Sequence, residues 1–106
     1  MSIDLPPGGF KIVVRPEVEE YIRAETRENF RVEQFWKDIL ERLKITALHE
    51  SHQIPSSGPP QFSFLANGAV DLQIPSIQIL FEVLGGTLTV LNALVWTEQD
   101  YEDSSY

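Results

Sequence analysis

The sequence predicts an α+β domain with the element order β-α-α-β-β-β, a helical hairpin packed on one face of a small antiparallel sheet. Three observations carry this. Apolar residues recur at three- and four-residue steps from Val18 to Ala47, the apolar period changes to two after Pro60, and Gly85-Gly86 divides two apolar runs. Neither an amphipathic hairpin nor a one-sided sheet buries its apolar side alone, so each must cover the other. The chain has 106 residues, 42% of them hydrophobic, enough for one core and one domain over residues 10 to 96.

Residues 1 to 9 read as a flexible lead-in, because Pro6-Pro7-Gly8-Gly9 lacks two amide donors and is costly to order. Phe10 to Arg15 is β-branched at its centre and closed by Pro16, which predicts a short strand running into a helix start. Val18, Tyr21 and Ile22 keep helical spacing, and Glu17, Glu19 and Glu20 suit a first turn, so residues 16 to 26 form a first helix. The second helix has the strongest pattern: Val32, Phe35, Trp36, Ile39, Leu40, Leu43 and Ala47 share one face, opposite Glu33, Lys37, Glu41 and Lys44. Asn29 is its predicted N-cap, and the pattern fades from Leu48 to Glu50.

Pro55 to Pro60 is a loop by composition. Phe62 and Phe64, then Val70, Leu72 and Ile74, alternate with polar neighbours and predict a strand or irregular hairpin ending at Pro75. Ile77 to Leu84 is almost wholly apolar, which predicts a central strand covered on both faces. Gly85-Gly86 is a two-residue hairpin turn, and Thr87 to Trp96 is the return strand. Residues 97 to 106 read as an acidic, fraying tail.

Charge is distributed unevenly. All eight Lys and Arg residues lie at or before Lys44, while residues 45 to 106 carry seven carboxylates and most of the net charge of −8. Nucleic-acid binding through the C-terminal half is therefore disfavoured. Without cysteine the chain has no disulfide and no thiolate metal site, and no apolar stretch is long enough to span a bilayer, so the expectation is a cytoplasmic protein without cofactor, metal or membrane partner.

The element order, with Ile77-Gln78-Ile79-Leu80-Phe81-Glu82-Val83 followed by Gly85-Gly86-Thr87-Leu88-Thr89-Val90-Leu91, resembles the RelE/ParE superfamily of bacterial toxin-antitoxin systems over roughly residues 10 to 101. The resemblance implies a plasmid-stabilisation type of toxin, in one branch a ribosome-dependent mRNA endonuclease, in another a gyrase inhibitor. Such proteins are commonly neutralised by an antitoxin encoded nearby. Family members carry an Arg and a Tyr in the third strand where this chain has Gln78 and Phe81. Many end the last strand with a His-Arg pair and a later Tyr, at places held here by Trp96, Thr97 and Tyr101. On the second strand, the ribonuclease branch has basic residues where Ala69 to Ile74 offers Asp71.

That pattern bears directly on chemistry. Attack of a ribose 2′-hydroxyl on phosphate needs a base, an acid and positive charge for the transition state, and one such donor is worth about 3 to 4 kcal/mol. Residues 45 to 106 supply no fixed cation. The expectation is a toxin-like protein that lacks ribonuclease chemistry and acts through protein binding, with Gln78, Phe81, Trp96 and Tyr101 as its partner-binding residues.

The catalytic candidates are His49 and His52, with Tyr101; the histidines can exchange protons near neutral pH, although a helix-end position also suits them structurally. As metal ligands two histidines are too few. Arg23, Arg27 and Arg31 step by four and form an anion-binding stripe if the turn between the helices is helical, but Glu19, Glu20 and Glu28 are spaced to neutralise them. Phe35 and Trp36 read as core, and Trp96 either as an exposed anchor or as a buried strand end. An active toxin using His49 or His52, a gyrase-type inhibitor and an unrelated homo-oligomeric domain are the alternatives.

Overall fold

A computed structural model of the protein describes residues 5–25, 29–72 and 74–96. Strand β1 spans Lys11–Val14, helix α1 Pro16–Glu25, helix α2 Phe30–Glu50, strand β2 His52–Ile54, strand β3 Gln61–Ala66, strand β4 Ser76–Leu84 and strand β5 Thr87–Trp96. A 3-10 turn at Val70–Leu72 lies between β3 and β4. The architecture is α+β, two helices on one five-stranded sheet of order β1-β5-β4-β3-β2. The sheet is mixed rather than antiparallel: β3, β4 and β5 form the expected meander, but β1 pairs with β5 in parallel, Lys11 opposite Thr87 and Val14 opposite Val90. Arg15 alone separates β1 from α1, so the chain leaves the sheet edge without reversing direction along it.

Helix α2 starts where its cap dictates. Asn29 is extended, at φ −120° and ψ 91°, and its side chain accepts from the Val32 amide at 3.3 Å. Val32, Trp36, Ile39, Leu43 and Ala47 form its buried stripe. Trp36, Ile39, Leu43 and Ala47 join Val18 and Ile22 of α1 and the inner residues Phe62, Phe64, Ile77, Ile79, Phe81, Val83, Leu88 and Val90 in one core. Phe62 and Phe81, directly paired across β3 and β4, stack with ring centroids 5.4 Å apart and planes 18° apart. A stacked pair of this kind adds about 0.5 to 1.5 kcal/mol to its area burial. Between β4 and β5 the register shifts at Leu80 and Phe81, a bulge that keeps Ala93 and Val95 on the buried side with Leu88 and Val90.

Some expectations change. At the end of the lead-in, the Gly9 amide closes a turn on the Pro6 carbonyl and the Phe10 amide reaches the Lys44 carbonyl of α2 at 2.9 Å. Residues 1–4 and the tail from 97 to 106 lie outside the described residues. Of the two expected forms, Val70, Leu72 and Ile74 take the irregular hairpin and not the strand: the Ala69 and Ile74 amides each donate to the other's carbonyl and fold the segment into a tight turn, with Gln73 outside the described residues. Strand β2 is additional, formed by residues that follow α2 directly. Finally, β4 is central but covered on one face only, since Leu80 is half-buried and Leu84 exposed. The Gly85-Gly86 turn is as expected, both residues having positive φ, 56° and 81°. No helix among the described residues is long and apolar enough to cross a membrane.

Candidate functional site

Strand alternation sends Ile77, Ile79, Phe81 and Val83 into the core, so Gln78, Leu80 and Glu82 must face away from the helices. Residues paired directly across strands share a face, which extends this outer surface to Leu65 and Leu94 on either side of Gln78, to His52 and Ser63 beside Leu80, and to Gln61, Thr89 and Val13 beside Glu82. Neither helix covers it. Val13, Leu65 and Leu94 are exposed large apolar residues there, and Leu94 is 47% accessible. Gln78 is half-buried at the centre and donates from Nε2 to Ser63 Oγ at 3.3 Å.

Electrostatically this surface is almost neutral. Lys11, at the sheet margin, is the only Lys or Arg in any of the five strands, and Glu82 is the only carboxylate. Uncharged amides, hydroxyls and leucines suit a protein surface better than a phosphate backbone.

The sequence-derived candidates are dispersed by the fold. Gln78 lies on the outer face, and Trp96, half-buried at the end of β5 opposite Ser76, falls on the same side by alternation. Phe81 does not: its side chain has 0% exposure in the middle of the core, because its odd position in β4 turns it toward the helices. It is a packing residue and cannot touch a partner. Tyr101 and Thr97 lie outside the described residues.

His49 and His52 no longer share a helical face. Helix α2 ends at Glu50, Ser51 is extended at φ −109° and ψ 155°, and His52 begins β2 opposite Ser63. Both histidines are exposed, and among the described residues no three His, Cys, Asp or Glu side chains gather to hold a metal ion. The arginine stripe is broken in the same way. The extended Asn29 interrupts the helical path between Arg23 at the end of α1 and Arg31 in the first turn of α2, and Arg27 lies outside the described residues. Arg31 Nη1 reaches toward the Leu72 carbonyl at 3.5 Å, so it is turned to the β3-β4 turn rather than to Arg23.

Sequence reasoning missed Leu65, Leu80 and Leu94 as surface residues. Their signal was present in the alternation of β3 and β5, but the nearly continuous apolar run of β4 hid it. It also missed the Arg42–Glu50 fork on α2, with contacts of 3.1 and 2.9 Å supported by Thr46 Oγ1 at 2.7 Å from Glu50. Arg42 lies 5.7 Å from the centre of the Phe64 ring, and the Glu50 carboxyl is held below the usual range chiefly by its hydrogen bond to Arg42. No family model, curated protein or solved structure matches the chain.

Proposed function

We propose that this is a RelE/ParE toxin-like protein that acts by binding another protein through the open sheet face, without ribonuclease chemistry. The observation that carries the reading is the outer face itself, five strands wide, apolar at Val13, Leu65 and Leu94, and furnished with one marginal cation. A phosphoryl transition state placed over Gln78 would meet an amide, a hydroxyl and leucines. It would lack the positive charge that such a reaction requires. A partner segment with apolar side chains over Leu65 and Leu94 and a cation against Glu82 complements the same surface. An antitoxin-like protein encoded by a neighbouring gene is the proposed partner, and the cytoplasm its compartment.

The test is inducible expression with and without the neighbouring gene's product, following growth, RNA cleavage and co-purification. Expected are no RNA cleavage and stable co-purification that Leu94→Asp abolishes. RNA cleavage lost on His52→Ala would overturn the reading in favour of catalysis, and the absence of any complex would remove its central claim.

A further inference from the structure

Strand β1 is a sheet margin, and its backbone groups divide cleanly. The Lys11 and Arg15 amides donate to the carbonyls of Gly86, in the turn before β5, and of Val90 in β5, at 3.0 and 3.3 Å. In a parallel ladder alternate residues bond to the same neighbour, so the N–H and C=O groups of Ile12 and Val14 point away from the sheet. One position earlier, the outward Phe10 amide is taken by the Lys44 carbonyl of α2, and one position later the chain turns into α1. What remains open is a short window. Alongside it runs a cleft of about 510 Å³ with Phe10, Ile12, Val14 and Leu40 on its walls and Lys11, Glu19, Glu41 and Lys44 at its rim, where Glu41 is already paired to Lys44 at 2.7 Å.

The other outward-facing stretch next to β1 is closed. Beyond Val90, the Ala93 amide is met by Asn92 Oδ1 at 2.9 Å and the Val95 amide by the Tyr21 hydroxyl at 3.0 Å. Helix α1 takes over the β5 margin where β1 stops. The fold thus blocks one part of this margin with side chains and leaves the part at Ile12 and Val14 unblocked beside a cleft whose walls are apolar at Phe10, Ile12, Val14 and Leu40 and whose rim is charged.

We infer that the β1 margin is a strand-accepting site for an extended peptide in which apolar residues alternate with acidic ones. An added strand bonds to Ile12 and Val14, drops alternate side chains into the cleft over Leu40, and presents the intervening ones beside Lys11 and Val13. Lys11 and Arg15 flank the window and, among the described residues, neither is in an ion pair. They call for carboxylates on the peptide. The same charges argue against a second copy of the chain, because the antiparallel register joining Ile12 to Val14 would set Lys11 against Arg15. The protein's net charge of −8 does not reverse this, since exposed charges are screened beyond about 8 Å at physiological ionic strength and the flanking cations are in contact. The inference goes beyond the function proposed above, which concerns the outer face and needs no added strand.

Two measurements test it. In the free protein, amide exchange by NMR is expected to be fast at Ile12 and Val14 and slow at Lys11; protection of both open amides would mean that the margin is already occupied, and would overturn the site. A displayed random-peptide library is then selected on the whole protein. Enrichment of alternating acidic and apolar sequences is expected, with Ile12→Pro and Lys11→Glu each weakening the selected peptides at least tenfold and Leu94→Asp leaving them unchanged. Proline at position 12 removes an amide that the sheet does not use, and Lys11→Glu alone decides if that variant does not fold. No enrichment, or binding indifferent to the β1 changes, overturns the inference. Binding lost only on Leu94→Asp also overturns it while leaving the outer-face proposal standing, and binding at β1 without any outer-face partner does the reverse.

Discussion

The Tyr21 hydroxyl accepts the Val95 amide proton at 3.0 Å, joining α1 to the last strand across a sequence separation of 74 residues. The bond lies where β5 has outgrown its parallel neighbour, which stops opposite Val90. Without it a part-buried N–H faces the helix with nothing to donate to. Tyr21→Phe keeps the ring and removes the acceptor, so a loss of about 1 to 2 kcal/mol is expected in urea unfolding. Faster exchange of the Val95 amide than of its neighbours in β5 would identify the cause, and an unchanged midpoint would show that water replaces the phenol.

Phe81 and Leu94 separate core from surface. Phe81 has 0% exposure and stacks on Phe62, whereas Leu94 is 47% exposed on the outer face. Phe81→Ala is expected to cost about 3 to 5 kcal/mol through lost burial and a residual cavity. Leu94→Ser should stay within about 0.5 kcal/mol of the parent. Paired thermal melts check both, and a large loss at Leu94 would mean that the outer face is covered in the free protein.

This pair also marks how far the sequence could be read. Helices α1 and α2, the Asn29 cap and the Gly85-Gly86 hairpin are local matters of period, capping and turn chemistry, and they appear in the fold close to their predicted places. Which side of β4 faces the helices is not local. In Ile77-Gln78-Ile79-Leu80-Phe81-Glu82-Val83 both alternating sets contain large apolar residues at Leu80 and Phe81, and only the registers with β3 and β5 assign Phe81 to the core. The parallel β1-β5 pairing likewise depends on a contact between distant residues, and the open groups at Ile12 and Val14 follow from that register alone. The alternation of Val70, Leu72 and Ile74 left strand and irregular hairpin both open, and the backbone hydrogen bonds between Ala69 and Ile74 decide for the hairpin.

Gly68 tests that turn. Its amide donates to Ser76 Oγ at 3.0 Å, and a Cβ built on it would overlap the Ile74 carbonyl oxygen and the Pro75 backbone. The Ile74 oxygen accepts from the Ala69 amide in the Ala69–Ile74 bridge, the Pro75 atoms follow it directly in the chain, and neither can withdraw as a flexible side chain would. Gly68→Ala is expected to destabilise by roughly 1 to 3 kcal/mol, the range for overpacking a tight site. Gly58→Ala is the control, because its Cβ would meet nothing within 4 Å. Equal melting temperatures for the two variants would contradict the turn geometry.

Helix α2 carries a pH dependence of known sign. Arg42 and Thr46 both donate to the Glu50 carboxylate, and these bonds lower its pKa in the folded protein, the Arg42 bond most. A carboxyl that binds its proton less readily when folded stabilises the fold at pH values above the ordinary glutamate value of about 4.3. That contribution is lost as pH falls from there through the lower, folded value. Glu50→Gln should therefore narrow the stability difference between neutral and acidic buffer relative to the parent, with the two converging below the folded pKa. The fork is exposed, so added salt should shrink the effect as well. Urea midpoints measured across the acid range at two salt concentrations check this, and a variant whose curve stays parallel to the parent's would show that the Arg42–Glu50 fork adds nothing to stability in solution.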